Sequence, residues 1–215
     1  MPAPGELARA KALIDAGLTA AARIRLEPLV EAHPTWARAL GLLAATYLHE
    51  RRYQLAASWF ERALAADPEE LAVRPLYGVA LYELGRLDEA QIMFTSILER
   101  RADFAPAHLW LGRIAAELDD TEAARHHLTM AIGLAATNSD RKLEADARTR
   151  LASVLLREDQ LGAARAELEL AVGLDPNVRE AWFRLAHVAA RLGDATTAAR
   201  ARERAAAIDP RQPAP

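Results

Sequence analysis

Apolar residues recur along this chain at the spacing of a helix face. Leu40, Leu43, Ala44 and Tyr47 fall at i, i+3, i+4 and i+7, one continuous stripe at about 3.6 residues per turn. A short break follows, and a second stripe runs through Ala56, Phe60 and Ala63. Gly17, Gly85 and Gly193 stand at such breaks, where glycine accepts the left-handed backbone that ends a helix. Stripe, break and stripe predict two antiparallel helices packed on each other, and the motif repeats.

Prolines give the period. His33-Pro34 and Asp67-Pro68 are 34 residues apart, as are Asp175-Pro176 and Asp209-Pro210. The middle pair is separated by 108, three periods of 34 and an insertion of six. Proline disfavours helical geometry in the residue before it, so each signal ends a second helix. The expected units are about 3–36, 37–70, 71–104, 105–144 with the insertion near 137–144, 145–178 and 179–210, then a flexible tail at 211–215. Columns agree across them. Position eight reads Ala10, Ala44, Gly78, Gly112, Ala152 and Ala186, and position twenty is Ala in every unit. Position twenty-four reads Leu26, Phe60, Phe94, Leu128, Leu168 and then Arg202. A column of Ala carries little weight in an Ala-rich chain. Small residues facing large ones, together with the proline spacing, carry much more.

On these columns and this spacing, the chain resembles the tetratricopeptide repeat (TPR) family. The clearest units run from Trp36 to Pro68 and from Ala181-Trp182-Phe183-Arg184-Leu185-Ala186 to Pro210, and Leu84-Gly85-Arg86-Leu87-Asp88-Glu89-Ala90 fits the family's inter-helix turn. The resemblance implies an all-α fold, a right-handed superhelical solenoid of six antiparallel helix-turn-helix repeats, whose first helices line a concave groove that takes peptides or protein partners. Departures are informative. Arg9 stands where a large apolar residue is usual, and Pro28 lies inside a second helix, removing a backbone donor. Unit three ends in Arg100-Arg101-Ala102-Asp103-Phe104 without proline, and Thr137-Asn138-Ser139-Asp140 reads as a break followed by an N-cap for a lengthened helix. Arg202 gives the last unit the polar outer face that a terminal repeat needs.

Composition narrows the chemistry. Apolar residues make up 52% of the chain, led by the helix formers Ala and Leu, and the net charge of −3 argues against nucleic acid as a partner. With no cysteine, disulfides, thiolate metal sites and cysteine nucleophiles are excluded. No stretch reads as a signal peptide or a membrane span, which predicts a cytoplasmic protein without membrane insertion. The Ala- and Arg-rich balance suits a GC-rich bacterial genome. The histidines, His126 and His127 included, form no His-Glu-x-x-His set, and adjacent helical side chains diverge by about 100°. Phosphate-binding glycine loops are absent, and no nucleophile has a base partner. Neither a metal nor another cofactor is expected, and the chain reads as no enzyme.

The candidate site is therefore the exposed face of the first helices. It gathers His49, Leu76, Tyr82, Leu109, Trp110, Arg113, Arg150, Ser153, Arg157, Phe183, Arg184, His187 and Arg191. Its middle is apolar and aromatic. Its C-terminal half sets five arginines against Glu117, Asp146 and Glu180, a local positive surplus suited to an acidic segment or a terminal carboxylate. The family's chaperone-tail adaptors use Asn and Lys there, whereas Asn138 and Asn177 both lie off this face. The leading reading is a scaffold or adaptor, a monomer or weak homo-oligomer. A self-assembling repeat protein, or an accessory subunit of a multiprotein enzyme or envelope-biogenesis complex, are the alternatives.

Overall fold

The computed structural model describes residues 4–208. Those residues form twelve helices and no strand. They pair as α1 (Pro4–Asp15) with α2 (Thr19–Ala32), α3 (Ala37–His49) with α4 (Tyr53–Ala66), and α5 (Arg74–Glu83) with α6 (Leu87–Leu98). The next pairs are α7 (Ala105–Glu117) with α8 (Thr121–Thr137), α9 (Arg141–Arg157) with α10 (Leu161–Leu174), and α11 (Arg179–Arg191) with α12 (Ala195–Ala207). The helices group into two compact units that divide between Ala102 and Asp103. In unit 1, α3 touches both α1 and α5; in unit 2, α9 touches both α7 and α11. The Asp209-Pro210 turn and the tail lie outside the described residues.

The repeat columns become packing rules. Position twenty-four, from Leu26 to Leu168, is fully buried, while Arg202 at the same column is exposed. Position eight must be small because position twenty-four presses on it. A Cβ at Gly112 would lie 2.6 Å from Leu128 Cγ and 3.2 Å from the Leu128 backbone nitrogen. Helices α2, α4 and α10 leave helical geometry at His33, Asp67 and Asp175, each followed by proline. Helix α2 runs unbroken through Pro28.

Every hairpin turns through a left-handed residue at position fifteen. Gly17, Gly85 and Gly193 have φ of 75°, 73° and 78°; Arg51, Asp119 and Asp159 hold φ of 58°, 58° and 59° in the other hairpins. Glycine thus marks half the turns, and non-glycine residues bear the conformation elsewhere because the packed helices on both sides dictate it.

The insertion lengthens both helices around it to 17 residues. Asn138 closes α8, Ser139 takes a φ of 58°, and the Asp140 side chain accepts from the Leu143 backbone N–H at 3.1 Å. The extra turn has a structural use. The Arg141 guanidinium donates to the Gly173 and Leu174 carbonyls at 3.2 and 3.1 Å, satisfying orphan acceptors at the C-terminus of α10.

Candidate interaction surface

The first helices of unit 1 frame a cleft of about 780 Å³. Its floor is position six of each hairpin, Ala8, Leu42 and Leu76, flanked by Leu7 and Trp36. The position-six residues lie about 100° around the helix from position seven, packed as Leu43 and Tyr77, so they are half-buried or exposed where the core stripe is sealed. Trp36 is placed by its own turn: it is the N-cap residue of α3, set edge-on against the His33 ring at 6.1 Å. Glycine fixes the spacing of the walls, since a Cβ at Gly41 would come within 2.7 Å of Val73 Cγ2.

Each charged group on the rim has a partner within the chain. Arg38 pairs with Glu70 at 3.2 Å and Lys11 with Asp15 at 2.7 Å, while Asp67 accepts from the Glu69 backbone N–H at 3.0 Å. An apolar floor inside a rim of partnered charges favours burial of uncharged surface over capture of an ion. Next to Leu76 in sequence, Tyr77 is buried against Phe60; burial and then a hydrogen bond to Glu61 push its hydroxyl up to about 12, so it stays a donor, 3.0 Å from Glu61.

The corresponding face of unit 2 is built from charge. Arg113 stacks over the Trp110 ring at 4.0 Å. Arg150 grips Asp146 at 3.0 Å, Arg184 grips Glu180 at 2.5 Å, and Arg191 reaches Asp159 at 2.5 Å. Arg157 donates to the Ala116 carbonyl at 2.5 Å and meets Asp119 at 3.2 Å. The expected positive surplus is not realised here. Asp119 and Asp159, turn residues with left-handed backbone, supply carboxylates that the face-by-face reading left out.

The thirteen residues expected at the site divide between the two units and differ in exposure. Leu76 lines the cleft of unit 1; Tyr82 is half-buried and His49 exposed on that unit's first helices. Leu109 is 8% exposed and belongs to the core with Leu128 and Val154, because position five faces the next hairpin. The Ser153 hydroxyl donates back to the Thr149 carbonyl of its own helix at 3.0 Å. Phe183, 61% exposed, and His187 project from α11, where no described hairpin follows.

In three hairpins a polar residue at position four of the first helix also meets one at position twenty-three of the second, 19 residues on. Arg25 reaches Glu6 at 3.2 Å, Arg148 reaches Glu167 at 2.7 Å, and the Nδ1 atoms of His108 and His127 lie 3.0 Å apart. The histidine pair escapes a search for local motifs, and the 19-residue offset shared with the two ion pairs is the signal that finds it. Among the described residues no group of three or more His, Asp or Glu is placed to hold a metal ion, and no helix is long and apolar enough to cross a membrane.

Models of the tetratricopeptide repeat match residues 7–70, 77–140 and 149–213, and a second such model matches 47–105. The chain belongs to the tetratricopeptide repeat family. Solved TPR structures share its fold at low identity. PilF of Pseudomonas aeruginosa is 21% identical with a TM-score of 0.78, over 92% of this chain and 87% of that one. PilW, a widely conserved type IV pilus biogenesis factor, is 19% identical with a TM-score of 0.80, over 92% and 89%. YrrB, a TPR protein with an unusual peptide-binding site, is 18% identical with a TM-score of 0.61, over 87% and 93%. No curated protein sequence matches the chain significantly.

Proposed function

We propose that this TPR chain is a non-catalytic scaffold that takes an apolar segment of a partner protein in the cleft formed by α1, α3 and α5. The observation that carries this reading is the floor of Ala8, Leu42 and Leu76 inside a rim whose charged groups each have a partner within the chain. A space of about 780 Å³ takes a few apolar side chains from a segment, and the TPR fold holds the walls apart without help from the ligand. An envelope-assembly role is the second reading; the fold likeness to PilF and PilW favours it.

Selection of a random twelve-residue peptide library on the full chain tests the cleft. Enriched peptides should be apolar and weakly charged, and Leu76→Glu should weaken them by roughly a hundredfold, because a carboxylate would be desolvated on the cleft floor. Circular dichroism of the variant checks that the helices persist. Enriched peptides that bind Leu76→Glu as tightly as the parent would remove the cleft from the account.

A further inference from the structure

His108 and His127 touch through their Nδ1 atoms at 3.0 Å. Only one hydrogen fits between two such nitrogens, so one ring donates and the other accepts. His108 is 7% exposed, His127 is half-buried, and the His126 ring stands edge-on to His127 at 5.2 Å. In the first and fifth hairpins the same pair of positions holds opposite charges, which attract in any neutral solution. Here two like groups meet, and their attraction lasts only while one of them is neutral.

We propose that the His108–His127 contact is an acid-operated latch, which holds α7 on α8 while neutral and drives the fourth hairpin apart once both rings are charged. The groups acting on His127 are His108 from α7, His126 from its own helix and Asp120 at the α8 N-cap; no charged group of α9, which also packs on α8, is among them. Burial first, then His108 and His126, hold the His127 imidazole down to about 4 from its ordinary 6.5, with Asp120 opposing. The folded pKa lies below the unfolded one, so the folded chain resists a proton that the unfolded chain accepts. Stability is whole above the ordinary value of 6.5 and is lost as the pH falls toward 4. Helix α7 also carries the Trp110–Arg113 stack, so opening the latch displaces that surface from α8, whereas no histidine lines the cleft of unit 1.

Melting of the full chain between about pH 7 and about pH 5 tests the latch, with His108→Leu/His127→Leu as the reference. The double variant puts an apolar pair at positions where the second hairpin has Leu40 and Trp59. The parent's folding constant should fall by at least about tenfold more than the variant's over that range. Equal losses in the two proteins would overturn the proposal. Should the double variant fail to fold, long-range proton–nitrogen NMR of the parent decides. His127 still neutral at about pH 5.5, with its Nδ1 coupled to His108, supports the latch; a ring that titrates near its ordinary value refutes it.

Discussion

Position six of the first helix is Ala8, Leu42 and Leu76 in unit 1, and Trp110, Arg150 and Arg184 in unit 2. The same register of the same repeat thus makes an apolar floor in one half, and in the other an Arg-stacked tryptophan and two ion-paired arginines. Helix starts differ in parallel. Asp120, Asp140 and Asp194 each cap a helix of unit 2 through the side chain, whereas none of α2 to α6 in unit 1 has a side-chain cap. A TPR unit fixes the residues that pack, at positions eight, twenty and twenty-four, and leaves those facing outward free to diverge.

The largest expected effect sharpens that contrast within one pair of positions. Arg148 bridges Glu144 at 2.8 Å and Glu167 at 2.7 Å, with side chains 17%, 11% and 23% exposed. Burial opposes the charge on Arg148, but hydrogen bonds to the two glutamates overcome it and raise its pKa. Arg148→Met should cost about 3 kcal/mol, because it strands two carboxylates in a poorly solvated seam. Arg25→Met, which breaks the exposed Arg25–Glu6 pair at the matching positions, should leave stability nearly unchanged. Denaturant midpoints of the two variants give the comparison. Equal midpoints would mean that the buried network does not hold the fifth hairpin.

An intermediate effect is expected at the insertion. Asp140→Ala removes the bond to the Leu143 N–H and should cost about 1 kcal/mol, read as a lower melting temperature and faster amide exchange at the start of α9. The cap at Asp194 depends on pH. The Thr197 backbone N–H, then its hydroxyl, hold the Asp194 carboxyl below its ordinary range. Its contribution is present above that range and is lost as acid protonates it. An unchanged melting temperature for Asp140→Ala would instead assign the α8–α9 turn to packing of the lengthened helices.

Much of the fold was legible because it is periodic. Proline spacing and the small-against-large columns pointed to an all-helical chain of repeated hairpins, and the described residues form twelve helices with Arg202 exposed. Turns were half legible: glycine announced three, but Arg51, Asp119 and Asp159 take the same backbone without any local signal. The site was less legible. Helical angles say which way Leu109 points, yet not that the next hairpin covers it. Counting charge along one face likewise missed Asp119 and Asp159, which reach the arginines from turns 38 and 32 residues away in sequence. Pairing across hairpins is a tertiary property, and a single helix wheel does not contain it.

The smallest effect tests whether the two faces share one ligand. Arg150→Glu/Arg184→Glu replaces two pairs with like charges four residues apart on α9 and α11, at about 0.3–0.5 kcal/mol each. Affinity for an apolar peptide selected on the unit 1 cleft should not move, since these residues do not line it. An acidic peptide is the informative second probe. If the arginines leave Asp146 and Glu180 to take up a ligand carboxylate, fluorescence polarisation of a glutamate-rich peptide should show binding to the parent that the double variant loses. If the apolar peptide weakens as well, its ligand engages both units, and the assignment of recognition to the floor of Leu42 and Leu76 fails.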